Sequence, residues 1–132
     1  MFGWIPNRKR LLADPKRLGK WGEKRAERFL NARGLKTLTR NFTCKTGEID
    51  LIMVDPDSSI VFVEVRTRAA DAFQPPEATV TPAKRARLIK AARYFLATHQ
   101  IENRPFRIDV VAITLPASRR PKIDHYPKAF TP

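Results

Sequence analysis

Two acidic residues stand in mid-run on neighbouring apolar strands, and few folds tolerate that. Gly47-Glu48-Ile49-Asp50-Leu51-Ile52 and Val61-Phe62-Val63-Glu64-Val65-Arg66 each carry a carboxylate within a stretch of strand-forming residues. An unpaired carboxylate taken out of water is costly. Between the two runs, Asp55-Pro56-Asp57-Ser58-Ser59 has the chemistry of a tight reversal. The segment therefore reads as a β-hairpin over 47–54 and 60–67.

The register follows from the turn. Pairing Val54 with Ile60 places Asp50 opposite Glu64, and a tighter turn pairing Asp55 with Ser59 keeps the same register. A slip of one residue would send the acids to opposite faces. Directly opposed, their Cβ atoms stand roughly 5 Å apart. Phe62 and Arg66 share the face of Glu64, whereas Val61, Val63 and Val65 face away. Like charges this close repel, and a bound divalent cation is a physical reason for keeping both. The competing reading is an acid pair buried against Arg66 or Arg68 as structural counterions, a task for which arginine is well suited.

The length of 132 residues allows one domain with one modest core. The charge narrows the partners. With 26 Lys and Arg against 13 Asp and Glu, the net charge is +13. Such an excess suits a polyanion, nucleic acid before an anionic membrane. The single cysteine, Cys44, excludes an internal disulfide and a Cys-rich zinc site; it reads as a buried or half-buried strand residue. His99 and His125 lack ligand-spaced partners and read as surface histidines. No apolar run approaches the roughly 20 residues of a membrane helix, and the start lacks the layout of a secretory signal. A cytoplasmic protein is the expectation.

Residues 1–13 read as a basic N-terminal arm, 14–115 as one domain and 116–132 as a Pro-rich, basic tail with an edge strand near Lys122–Tyr126. Asp14-Pro15 begins a helix as N-cap and first-turn proline, Leu18, Gly22, Ala26, Phe29 and Leu30 give it one packing face, and Gly34 closes it. A strand over 36–43 leads into the hairpin. After a loop from about Ala69 to Val80, Thr81-Pro82 opens a second helix with Leu88, Ile89, Ala92, Phe95 and Leu96 inward. Its outer face carries Lys84, Arg85, Arg87, Lys90 and Arg93. Phe106 to Leu115 is a further strand, with Asp109 and Arg107 on one face as an ion pair. The order α-β-β-β-α-β predicts an α/β fold, a mixed central sheet flanked by helices.

An acid, about a dozen residues, then acid-x-basic resembles the PD-(D/E)xK nuclease signature. Leu18-Gly19-x-x-Gly22-Glu23-x-x-Ala26, Gly34, Arg40-Asn41, Gly47 to Ile52, Phe62-Val63-Glu64-Val65-x-Thr67-Arg68, Lys84 and Arg107-x-Asp109-Val110-Val111 follow in order. Over about residues 16–115 the chain resembles the YraN-like family of small bacterial proteins, itself similar to Holliday junction resolvases. The resemblance implies a restriction-endonuclease-like three-layer sandwich. It also implies nucleic-acid binding and Mg²⁺-dependent hydrolysis of branched or structured DNA, with Mn²⁺ as a substitute ion. DNA is expected ahead of RNA, and a two-fold symmetric junction would favour a homodimer.

On that resemblance, Asp50 and Glu64 are the metal ligands, the Val65 carbonyl is a candidate third, and Glu23 is an additional acid near the metal. Arg68, Lys84, Arg85 and Arg87 are candidate nucleic-acid contacts. Arg66 stands where the family usually has lysine. Arginine cannot act as a base at physiological pH, although it can clamp phosphate or stabilise developing charge. Catalysis is therefore an open question, and an inactive binding module on the same fold, or a basic assembly protein without metal chemistry, are the alternatives. Lys84, one turn before Leu88, reads first as a solvated or phosphate-contacting lysine and second as a stand-in for the motif lysine. Glu48 falls on the face opposite Asp50 and reads as structural.

Overall fold

The computed structural model describes residues 7–70 and 80–130. In chain order it contains α1 (Arg8–Ala13), α2 (Pro15–Ala32), β1 (Lys36–Cys44), β2 (Gly47–Val54), β3 (Ile60–Ala69), α3 (Pro82–Thr98), β4 (Phe106–Leu115) and β5 (Lys122–Phe130). The five strands form one sheet in the order β1-β2-β3-β4-β5. Neighbours are antiparallel except β3 and β4, which run parallel and are joined through α3. Most of the loop expected over Ala69–Val80 lies outside the described residues.

The two faces of the sheet are covered by different helices because the strand residues alternate. Leu51, Met53, Val61, Val63, Val111 and Ile113 meet Ala26 and Leu30 of α2 on one face. Ile52, Phe62, Ile108 and Val110 meet Leu88, Ala91, Ala92 and Phe95 of α3 on the other. A mixed sheet flanked by helices in three layers, as expected, is the result. Phe62 anchors the α3 side, edge-on to both Phe95 and Phe106.

Both long helices start as their sequences predict. The Asp14 carboxylate accepts from the Lys16 and Arg17 amides at 3.1 and 3.3 Å, and Pro15 opens the first turn. Thr81 Oγ1 accepts from the Lys84 amide at 3.2 Å ahead of Pro82. Helix α2 lies so close to β3 that a Cβ on Gly22 would fall onto the Thr67 hydroxyl and 2.8 Å from Thr67 Cβ. Gly22→Ala is thus expected to cost about 1–3 kcal/mol by overpacking. Urea unfolding checks this; Thr67→Ala in the same chain should recover part of the loss, since it removes the hydroxyl and methyl but keeps the Cβ at 2.8 Å.

Two expectations are corrected and one is extended. The arm is in part a helix: α1 sets Leu11 and Leu12 against Leu18 and Leu115, and the Arg8 guanidinium donates to the Pro116 and Arg119 carbonyls; residues 1–6 lie outside the described residues. The edge strand expected near Lys122–Tyr126 is present and longer, running from Lys122 to Phe130 along β4. Its Pro127 is tolerated because an edge strand has one unpaired side. His125 is not a surface residue. Its side chain is 11% exposed and its Nε2 donates to Asp109 at 2.8 Å, while its ring meets Phe29 edge-on. The fully buried Asp109 also accepts from Arg107 Nε at 3.1 Å and the Lys128 amide at 3.0 Å. Arg107 continues to Asp55 at 2.8 Å, tying the hairpin turn to β4 and β5. His99, by contrast, is exposed and stacks on Phe95, and Cys44 ends β1 half-buried.

Candidate functional site

The β2–β3 hairpin has the derived register: Val54 opposes Ile60, Met53 opposes Val61, Ile52 opposes Phe62 and Leu51 opposes Val63. The next rung would be Asp50 and Glu64, and there the main-chain ladder stops. The Val65 amide donates instead to Asp50 Oδ2 at 2.7 Å. An acid at this rung thus captures a backbone donor freed as the strands part.

The environment sets the protonation of the pair. Glu64 is 5% exposed and Asp50 half-buried. Burial is the main cause pushing the Asp50 carboxyl up to about 8, with the Glu64 and Glu23 charges and its hydrogen bond with Glu64 adding to it. The Val65 amide opposes the rise without cancelling it. The Asp50 carboxyl is thus held toward its protonated form near neutral pH, against the Glu64 carboxylate. A divalent ion at this point would take the place of that proton.

Two cations meet Glu64 from different elements. Lys84 Nζ stands 2.9 Å from Glu64 Oε2, and an Arg66 guanidinium nitrogen lies 3.6 Å from the same oxygen. Lys84 is therefore not simply a solvated lysine. Leu88 is buried on the sheet-facing side of α3, and the residue four earlier falls on that same side. The Thr81 cap fixes the first turn from which Lys84 projects.

These groups line an open cleft of about 650 Å³ between α3 and the hairpin, together with Glu48, Thr81 and Arg87. A Cβ on Gly47 would stand 3.5 Å from the Arg87 backbone, so the β1–β2 turn rests directly on α3. Glu48, two residues before Asp50, lines the cleft alongside it, which corrects the expectation of the opposite face: positions i and i+2 of a strand share a face. The Thr81-Pro82 pair marked a helix start, but nothing in the sequence marked it as a cleft wall.

The other expected residues divide. Glu23 comes near from α2: burial raises its carboxyl, Lys20 opposes, and the Glu64 and Glu48 charges add to the rise. Arg68 lies on the strand face of Glu64 and Arg66, half-buried. Arg87 lines the cleft. Arg85 does not join it; its Nε donates to the Val80 carbonyl at 3.1 Å and its guanidinium lies 5.4 Å from the Phe130 ring centre. On an α-helix, neighbouring positions diverge by about 100°, so Lys84 and Arg85 turn to different sides.

Among the described residues, no group of three or more His, Cys, Asp or Glu side chains is arranged to hold a metal ion. Glu23 thus influences the pair without completing a ligand cage. Two carboxylates in an open cleft still suit Mg²⁺, which keeps several waters and commonly uses one or two protein carboxylates with substrate phosphate. The donor set fits the ion on those terms.

The family described as "Uncharacterised protein family UPF0102" matches residues 22–113. The chain belongs to this family. Among its UPF0102 relatives, the protein from Ralstonia nicotianae is 53% identical over 98 residues, covering 72% of this chain and 75% of its own. The relative from Geotalea uraniireducens is 45% identical over 118 residues, covering 89% and 92%, and that from Myxococcus xanthus is 38% identical with the same coverage. Among solved structures, the UPF0102 chain is similar to the "crystal structure of a repair endonuclease from Pyrococcus abyssi". That likeness has 22% identity and a TM-score of 0.38, over 73% of this chain and 38% of the other. So distant a likeness leaves the fold to the sheet order and layers described above. No helix of the described residues is long and apolar enough to cross a membrane.

Proposed function

We propose that this UPF0102 chain binds nucleic acid, DNA ahead of RNA, and hydrolyses phosphodiester bonds in branched or structured DNA with Mg²⁺ or Mn²⁺ held by Asp50 and Glu64. The observation that carries the reading is the placement of Lys84 Nζ, 2.9 Å from Glu64, beside the Asp50–Glu64 acid pair in an open cleft. Acid, acid and amine are the groups that the PD-(D/E)xK pattern needs, and here the amine comes from α3 because β3 supplies Arg66.

When bound, the ion would polarise a phosphate oxygen and acidify a water. Glu64 is held in place for that role by Lys84 and Arg66, and Asp50 by the Val65 amide. Lys84 presents a compact ammonium to a water or phosphate oxygen at Glu64. Arg66 and Arg87 face a polyanion entering the cleft, and Arg66 is suited to a two-pronged phosphate contact.

A four-way junction and its component duplex, labelled and mixed with the protein and Mg²⁺, test the reading. Metal-dependent cleavage is expected, together with affinity that falls with salt at a log–log slope of about −0.9 per phosphate neutralised. Affinity that stays flat from low to moderate salt would contradict nucleic-acid binding. Salt-sensitive binding without turnover would favour the second reading, an inactive binding module on this fold, for which Arg66 in the lysine position is the supporting observation.

A further inference from the structure

On the α2 side of the sheet, away from the α3 cleft, lies a smaller groove of about 110 Å³. Lys20, Glu23 and Lys24 of α2 form one wall, and Arg40 and Asn41 of β1 contribute to the other. Its position relative to the acid pair is set by Glu23, which lines the groove and whose charge also reaches Asp50 and Glu64. The acid pair therefore has a basic cleft on one side and a second basic groove on the other.

The groove continues along α2. Leu18, Gly22, Ala26 and Leu30 are the buried positions of that helix, which leaves Lys16, Lys20 and Lys24 as an exposed row at intervals of four residues. Successive lysines in the row rise by about 6 Å, of the order of the distance between neighbouring phosphates on one strand. None of the three is held in an ion pair among the described residues. Arg40 differs: Glu27 grips it through two contacts of 2.8 and 2.7 Å, yet the arginine side chain stays 62% exposed. Glu27 is itself fixed by the Thr37 hydroxyl at 2.6 Å. The guanidinium is thus oriented in advance with part of its donor fork facing outward.

We infer that the Lys16–Lys20–Lys24 row of α2, with Arg40 across the groove, is a second nucleic-acid contact surface that takes the strand continuing past the acid pair from the α3 cleft. A nucleic-acid strand has the regular negative charge that the row matches, and Glu23 at the groove connects it to the acids. A substrate gripped on both sides would be held across Asp50 and Glu64 and not merely at its end. This rests on the nucleic-acid reading proposed above and extends its footprint to a helix on the opposite face of the sheet.

Binding of a labelled four-way junction, followed by fluorescence anisotropy in EDTA across a salt series, tests the inference without requiring cleavage. Four proteins are compared: wild type, Lys20→Glu/Lys24→Glu, Arg87→Glu on the α3 side, and the charge-matched Lys122→Glu/Lys128→Glu on β5. All the replaced side chains are exposed, and thermal unfolding verifies that each variant is folded. Lys20→Glu/Lys24→Glu is expected to weaken binding at least tenfold and to flatten the salt slope by about 1.8, that is, by two phosphate contacts. The β5 variant should bind nearly as wild type does. Equal losses in the α2 and β5 variants would reduce the effect to net charge and overturn the inference. Wild-type affinity in the α2 variant with weakened binding in Arg87→Glu would reject the α2 surface while leaving the α3 cleft as the binding site. A wild-type protein with no salt-dependent affinity would reject the nucleic-acid reading and this surface together.

Discussion

Lys84→Ala is expected to lower the cleavage rate by about two to three orders of magnitude, the usual loss when a positioned charge is removed from a reacting centre. The side chain reaches Glu64 at 2.9 Å, and among the described residues no other lysine lines the cleft. Binding should suffer far less, because Arg66 and Arg87 remain. Stability should change by only about 1 kcal/mol or less, since the lysine is 41% exposed and solvent screens the pair. Lys84→Arg separates two roles. It restores a cation beside Glu64, but its planar guanidinium replaces a compact ammonium and cannot yield a proton. Little recovery of rate is expected from it. Single-turnover cleavage at saturating protein measures both variants, and a Lys84→Ala protein that cuts at the wild-type rate would remove α3 from the catalytic account.

The metal-free protein is expected to become less stable as pH rises from about 4 to about 8. Asp50 titrates near 3.8 when unfolded and at about 8 when folded. Between those values the folded chain keeps a proton that the unfolded chain has released, so the native state binds more protons. Stability then falls with increasing pH, by up to about 1.4 kcal/mol per pH unit across the window. Over the whole interval the nominal effect is roughly several kcal/mol. The loss is complete above the folded value and absent below the unfolded one. Asp50→Asn removes the titrating group and should flatten the profile. Urea unfolding in EDTA at several pH values measures it; equal pH slopes in wild type and Asp50→Asn would show that Asp50 ionises normally.

The hairpin was legible because two local rules agree there. Turn residues at 55–59 set the reversal, and period-two alternation then placed Val54 opposite Ile60. The Asp55 amide bonds the Ser59 carbonyl at 2.9 Å, closing the turn as its composition predicts. Helix starts at Asp14-Pro15 and Thr81-Pro82 were equally local. What escaped the sequence was set by tertiary contact. Lys84 could be placed on the rim of a buried face but not aimed at Glu64, because the tilt of α3 over the sheet is decided by its packing against Phe62, Ile108 and Val110. Glu48, by contrast, was legible: it stands two residues before Asp50, and period two puts both on one face. The fate of His125 depended on where the expected edge strand sets its ring, against Asp109 and Phe29, contacts that no local pattern marks. Arg85 was grouped with Lys84 by composition, although helical geometry sends the two side chains apart.

Titration of Mg²⁺ and Mn²⁺ into the wild-type protein and Asp50→Asn/Glu64→Gln, with calorimetry for uptake and a labelled four-way junction for cleavage, tests the central claim most directly. The wild-type protein is expected to take up the ion with proton release, since the Asp50 proton must leave, and to cut the junction only when the ion is present. The double variant should do neither while still binding the junction in EDTA. Equal metal uptake by both proteins, or no uptake by either, would contradict the claim and return Asp50 and Glu64 to a structural role beside Lys84 and Arg66.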